Sequence, residues 1–255
     1  MSVYVTGDCH ADFGKFSVRR FPEQKELTRD DFVIVCGDFG IWHDDPEERY
    51  QLKWLSEKPF TLLFADGNHE NFDRLKSEFP IVDFHGGKAH KIRDNIYHLM
   101  RGYVFNLCGK KFFVFGGASS HDIQDGILNP EDYPTSRDLM DDYRRRTRQG
   151  QMLRINHLSW WKEELPREDE LQRGIDNLEN VGNKVDFVIS HCLPQSIVTL
   201  LYGGPGRDAD ELTEYFDELV QDGLQFDQWY AGHYHCDTRL LGKYNILYDR
   251  IKRII

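Results

Sequence analysis

Long hydrophobic runs are missing from this chain. No stretch approaches the roughly 18 consecutive apolar residues of a membrane-spanning helix, so no place in a bilayer is expected. The opening residues lack the basic, apolar and small-residue order of an export signal. Instead a short apolar run, Val3 to Thr6, leads straight towards Asp8. Cysteine is sparse: there are five, an odd number, with no C-x-x-C spacing. Cys9, Cys36, Cys192 and Cys236 stand beside polar motifs and read as small buried thiols, not as a disulfide framework. A cytoplasmic protein is the expectation. Positive charge is also short. With 32 basic against 43 acidic residues the formal net charge is -11. That disfavours broad binding to nucleic acid or anionic membrane, while leaving room for a local basic groove.

Apolar residues as such are not scarce. Hydrophobic residues make up 40% and aromatics 13% of the 255 residues. That composition builds a substantial core and excludes disorder, and the length suits one large α/β domain. Against this background stand five short polar motifs: GDCH (Gly7 to His10), GD (Gly37, Asp38), GNHE (Gly67 to Glu70), SHC (Ser190 to Cys192) and GHYH (Gly232 to His235). If they form one site, the two ends of the chain meet in space.

Each motif follows an apolar run that reads as a buried strand: Val3 to Thr6, Phe32 to Cys36, Phe60 to Ala65, Val185 to Ile189 and Trp229 to Ala231. Helical patterns lie between them, at Pro46 to Glu57, Glu70 to Glu78, Leu158 to Leu165, Glu168 to Asn180 and Asp208 to Gln221. This alternation predicts a layered α/β fold. Ile96 to Phe115 reads as three strands, and Thr238 to Ile254 as a hairpin about Gly242 and Lys243. The segment 119–150 breaks the pattern, with scattered Asp and Glu followed by Arg144, Arg145, Arg146 and Arg148. It reads either as a lid or substrate loop, or as a solvated loop leading into a charged helix.

Loops at the carboxyl ends of buried strands are where α/β proteins place their chemistry. Asp8 and His10, two apart in an extended segment, leave the same face and suit one ion. One carboxylate, such as Asp38, can bridge two ions. Asn68 offers an amide oxygen, and His191, His233 and His235 offer imidazole nitrogens that suit transition metals better than Ca or Mg. Together Asp8, His10, Asp38, Asn68, His191, His233 and His235 supply enough donors for two metal ions, a pairing that commonly serves phosphate ester hydrolysis.

With these motifs the chain resembles the calcineurin-like metallophosphoesterase superfamily across nearly its whole length. The resemblance implies a four-layer α/β/β/α sandwich of two mixed β-sheets with flanking helices, here as one domain over 1–255. It implies Asp8, His10, Asp38 and His235 on one ion, and Asp38, Asn68, His191 and His233 on the other. His69 would be the catalytic histidine outside the ligand set, binding phosphate and protonating the leaving oxygen. The implied cofactors are two divalent transition metal ions, Mn first, with Fe, Zn or Ni accepting the same donors. The implied reaction is hydrolysis of a small phosphomonoester or phosphodiester by a hydroxide that bridges the ions and is activated by them.

The chain departs from the Ser/Thr phosphoprotein phosphatase branch. Ala11 replaces the Gly of GDxHG, and Ile41 and Trp42 stand where that branch has an Asp and its phosphate-binding Arg. A phosphoprotein substrate is therefore the alternative, and a non-catalytic metal-binding scaffold is a second one from another class. Asp66 and Asp73 are both candidates to orient His69. Among the histidines outside the motifs (His43, His85, His90, His98, His121 and His157), structural roles are the default. His121, beyond a Gly-rich strand end, is the exception expected at the substrate. The arginine run could read phosphates or form a solvated helix face. Gly203, Gly204, Gly206 and Arg207 read as a flexible loop bordering the site, and Trp160 and Trp161 as core packing.

Overall fold

The computed structural model describes residues 1–41, 43–204 and 209–255. Trp42, Gly206, Arg207 and the expected helix start at Asp208 lie outside the described residues. The first half runs β1 (Val3–Thr6), β2 (Phe32–Cys36), α1 (Pro46–Ser56), β3 (Thr61–Ala65), α2 (Phe72–Ser77), β4 (Ile81–Phe84), β5 (Gly87–Arg93), β6 (Ile96–Leu99), β7 (Tyr103–Leu107) and β8 (Lys110–Phe115). The second half runs β9 (Ile127–Leu128), α3 (Ser136–Arg148), β10 (Arg154–Ile155), α4 (Glu168–Asn180), β11 (Phe187–Ser190), α5 (Gln195–Tyr202), α6 (Glu211–Gln221), β12 (Gln228–Ala231), β13 (Thr238–Leu240), β14 (Tyr244–Ile246) and β15 (Lys252–Arg253).

Two mixed sheets result. One has the order β15-β1-β2-β3-β6-β5-β4, the other β13-β14-β12-β11-β8-β7. β1, β2, β3 and β6 run parallel, as do β8, β11, β12 and β14 in the second sheet. Alternation along the strands sorts side chains into layers. Val3, Val5, Ile34 and Leu63 from the first sheet share one core with Phe112, Val114, Phe187 and Ile189 from the second. The intervening residues Tyr4, Val33, Val35 and Phe64 pack outward on Leu52, Leu55, Phe72 and Leu75 of α1 and α2. Phe113, Phe115, Val188 and Trp229 pack outward on Leu178, Ile197, Leu212 and Phe216 of α4, α5 and α6. The layers are therefore helix, sheet, sheet, helix, as expected.

Several expectations need correction. Leu158 to Leu165 is not a helix. His157 turns at φ 56, its N–H meets the Trp160 carbonyl at 2.9 Å, and only a 3-10 turn at Lys162–Glu164 follows. The apolar residues there face different ways: Leu158 is exposed while Trp161 is buried. The second helix starts at Phe72, because Glu70 is drawn into the loop and Asn71 caps the helix through Arg74 N at 3.1 Å. The terminal hairpin is short (β13, β14), and the chain then crosses to pair β15 antiparallel with β1. The β4–β5 hairpin and α5 were not foreseen.

The segment 119–150 is ordered around α3. Leu128, Leu139, Leu153 and Ile155 form a small core of its own, and β9 pairs with β10. No helix among the described residues is long and apolar enough to cross a membrane.

Candidate metal centre

The loops after β1, β2, β3, β8, β11 and β12 meet at the carboxyl ends of the parallel strands. His10 Nε2 stands 3.0 Å from His235 Nε2, and His10 Nδ1 lies 3.7 Å from Asp38 Oδ2. His191 Nε2 lies 3.3 Å from both Asp38 Oδ2 and Asn68 Oδ1. His233 donates its backbone N–H to Asp8 Oδ1 at 2.9 Å. Residues separated by more than 220 positions thus share one centre. All seven residues singled out as metal donors are brought together, and His69 and His121 stand beside them.

The backbone is strained where the donors sit. His10, Asp38, His233 and His235 adopt φ values of 48, 49, 68 and 48°. Left-handed non-glycine residues cost about 1–3 kcal/mol each and cluster at functional sites. Two glycines clear space for the donors. A Cβ on Gly67 would stand 2.1 Å from Asp38 Oδ1, and one on Gly37, at φ 91°, would stand 2.1 Å from His191 Nδ1.

Neighbours fix each donor's orientation. His191 Nδ1–H donates to the Cys36 carbonyl at 2.7 Å, which turns Nε2 towards Asp38 and Asn68. Asn68 Nδ2 donates to Ser120 Oγ at 3.1 Å, so its Oδ1 faces His191. Ser120 Oγ in turn donates to Glu164 Oε2 at 2.6 Å. Glu70 braces the Asp38 loop by accepting the Phe39 and Gly40 backbone N–H groups at 2.6 and 3.1 Å. Buried Lys15 donates to the carbonyls of Gly7, Asp8 and Tyr248 at 3.2, 2.7 and 2.6 Å.

His69 has a different partner from those expected. Asp66 is taken by His98, at 3.0 Å, and by Arg101 Nε, at 2.8 Å. Asp73 is taken by His157 at 2.8 Å and by Trp161 Nε1 at 2.7 Å. Instead Arg154 brings Nη1 to 3.2 Å from His69 Nδ1 and Nη2 to 3.1 Å from His69 Nε2. Asp122 holds that guanidinium from behind through Nε at 2.6 Å and Nη2 at 2.8 Å. His121 Nε2 lies 2.8 Å from His233 Nε2. The consecutive residues Ser120, His121 and Asp122 therefore reach Asn68, His233 and Arg154 respectively. The arginine run pairs along its own helix, Arg144 with Asp141 and Arg145 with Asp142.

The site packs buried carboxylates against imidazoles. Burial would raise Asp8, yet the neighbouring imidazoles of His10 and His235 hold it well below the usual carboxylate range. Burial likewise opposes charge on Asp38, and His191 outweighs it. Burial also opposes charge on His191, but Asp38 and Asp8 lift its imidazole to about 10. Burial, helped by Arg154 and His10, pulls His69 down to about 4 against the attraction of Asp38.

The donors fit metal ions on an observation independent of any family. Asp8 Oδ2 is buried without a hydrogen-bond partner, although His235 Nε2 lies 3.1 Å and His10 Nε2 3.6 Å from it. A buried carboxylate oxygen is costly unless a positive charge meets it. Two nitrogens bound to one ion at about 2.1 Å and at right angles stand about 3.0 Å apart, the spacing of His10 and His235. Three groups have donor atoms close enough to hold an ion: Asp8, His10 and His235; Asp8, Asp38 and His191; and His10, Asp38 and His69.

Fold and site together give a layered α/β protein whose strand ends carry a candidate metal centre. The chain belongs to the calcineurin-like phosphoesterase family, whose model matches residues 1–237. It is 23% identical over 265 residues to lariat debranching enzyme A of Xenopus laevis, covering 92% of this chain and 43% of that protein. Among solved structures it is similar to a Staphylococcus aureus protein provisionally described as a 5'-nucleotidase. That likeness has a TM-score of 0.44 and 15% identity, and covers 97% of this chain and 48% of the other. The chain spans less than half the length of each of these relatives.

Arg154, Lys15, Glu164 and the bracing role of Glu70 escaped the sequence reading. Arg154 sits in no polar motif, and strand alternation between Leu153 and Ile155 only turns it to the face opposite theirs, so nothing in the sequence marks it as part of the site.

Proposed function

We propose that this chain hydrolyses a small phosphomonoester or phosphodiester with two divalent transition metal ions. Asp8, His10, Asp38 and His235 would hold one ion, and Asp38, Asn68, His191 and His233 the other. When bound, such ions lower the pKa of a water and neutralise charge on the phosphoryl oxygens. The observation that carries this reading is the buried, unpartnered Asp8 Oδ2 with two imidazole nitrogens beside it.

The chain's own residues do the rest. Cys36 keeps the His191 hydrogen on Nδ1, so that Nε2 faces the centre. Ser120 keeps the Asn68 oxygen inward. His121 Nε2, 2.8 Å from His233 Nε2, shares a hydrogen with that ring and holds its orientation. It borders the substrate space from there. His69, whose backbone N–H is tied to Asp38 Oδ1 at 2.8 Å, stands over the centre to meet the phosphoryl group and the leaving oxygen.

The test is metal analysis together with turnover. Wild-type protein loaded with Mn, Fe, Zn or Ni in turn should retain two ions per chain and cleave 4-nitrophenyl phosphate or its bis ester. Asp38→Asn should lose both properties. Full turnover by Asp38→Asn would dismiss the bridging assignment.

A further inference from the structure

We infer that Arg154 is the substrate-reading cation of this site: its guanidinium donates to a terminal phosphoryl oxygen over His69, favouring phosphomonoesters. The inference rests on the phosphoesterase reading above and names the substrate class within it.

The donor inventory carries the argument. A guanidinium has five N–H groups and no acceptor. The Nε hydrogen and one Nη2 hydrogen go to Asp122, and one Nη1 hydrogen goes to the Ser159 carbonyl at 2.9 Å. The two that remain point at the two ring nitrogens of His69, at 3.2 and 3.1 Å. A neutral imidazole accepts at one nitrogen and carries a hydrogen on the other. The ring therefore satisfies at most one of the two, and at least one guanidinium donor is left facing a ring N–H. A donor in that position is destabilising until an acceptor arrives. An anionic oxygen beside His69 supplies the acceptor.

Position and charge agree with this. Arg154 is 9% exposed, so a hydrogen bond from it to an anion is little weakened by water. Asp122 fixes the plane of the fork in advance, which reduces the entropy lost on binding. The second motif carries Ile41 and Trp42 and no arginine, so the cation arrives from β10 instead. A planar fork suits paired terminal oxygens. A phosphomonoester offers three such oxygens and up to two charges. A diester offers two oxygens and one charge.

The experiment uses the Mn-loaded chain with 4-nitrophenyl phosphate, bis(4-nitrophenyl) phosphate, and inorganic phosphate as inhibitor. Arg154→Met should raise the monoester KM and the phosphate inhibition constant about tenfold or more. The diester KM should move less, and bound metal and unfolding midpoint should hold. Arg154→Lys should recover part of the loss, since an ammonium keeps the charge and not the fork. Unchanged phosphate inhibition in Arg154→Met would overturn the proposal, as would equal losses on monoester and diester. If Arg154→Met does not fold, unchanged phosphate inhibition in Arg154→Lys overturns it instead. If wild-type protein cleaves neither ester, the phosphoesterase reading fails, and calorimetry of phosphate binding to wild type and variant still decides the role of Arg154.

Discussion

Lys15 holds the carbonyl oxygen of Asp8 at 2.7 Å from a position that water barely reaches. The same ammonium binds the Tyr248 carbonyl at 2.6 Å, and the Tyr248 ring stacks on His235 with centroids 4.7 Å apart. One buried charge therefore ties the first motif to the last stretch of the described chain. Lys15→Met keeps the stem and deletes the head, leaving three carbonyls without their donor. We expect a loss of about 3 kcal/mol in urea unfolding, together with weaker cation binding. A change within the scatter of repeat measurements would show that the ammonium is not structural.

Glu70 should behave as a brace, not as a catalyst. Its carboxylate accepts from Phe39 and Gly40, and the Ile41 N–H also approaches, at 3.4 Å. In Glu70→Gln an amide NH2 must face a backbone N–H. Stability should fall by about 2 kcal/mol, and metal affinity by about tenfold as the Asp38 loop loosens. Thermal melts with and without metal report both. A variant that lost turnover while melting and binding metal like wild type would point to chemistry instead.

His69→Ala separates chemistry from metal binding. Because His69 is assigned outside the ligand set, turnover should fall about 100-fold or more while two ions remain bound. Loss of an ion in elemental analysis would move His69 into the ligand set, alongside His10 and Asp38, with which it shares a candidate group.

His90 gives a pH dependence with a definite sign. Burial, helped by His98, pulls its imidazole down to about 3. In the unfolded chain a histidine titrates near 6.5, so below that pH the unfolded state takes up a proton that the folded state refuses. Stability is then lost as pH falls from about 6.5 towards 3, by up to about 1.4 kcal/mol per pH unit. The hydrogen-bond chain sets the tautomers, while burial sets the refusal. His98 Nε2–H donates to Asp66, leaving His98 Nδ1 to accept from His90 Nδ1–H at 2.9 Å. His90→Gln should flatten the profile between pH 6.5 and 4.5. Parallel profiles for wild type and variant would reject the assignment.

The donors were legible in the sequence because each motif ends a strand run and four of the five carry a glycine. The alternation that buries Val3, Ile34 and Leu63 on one face also aims the strand ends at a common edge. What was not legible came from contacts between distant stretches. Nothing around Arg154 marks it as a partner of His69, 85 positions away. Asp66 and Asp73 look suitable by proximity, but His98, Arg101, His157 and Trp161 had already taken them. The apolar residues at Leu158 to Leu165 imitate a helix, yet the tight turn at His157 spends them on separate surfaces.

The stretch from Ser119 to Ile155 folds around its own small core, and three of its residues, Ser120, His121 and Arg154, touch the centre. It resembles a cartridge with one row of contacts. Such a unit could be exchanged or redesigned to admit other leaving groups, provided those three residues are kept. On the proposed function, substrate range and the cation cradle are then separately adjustable parts of one chain.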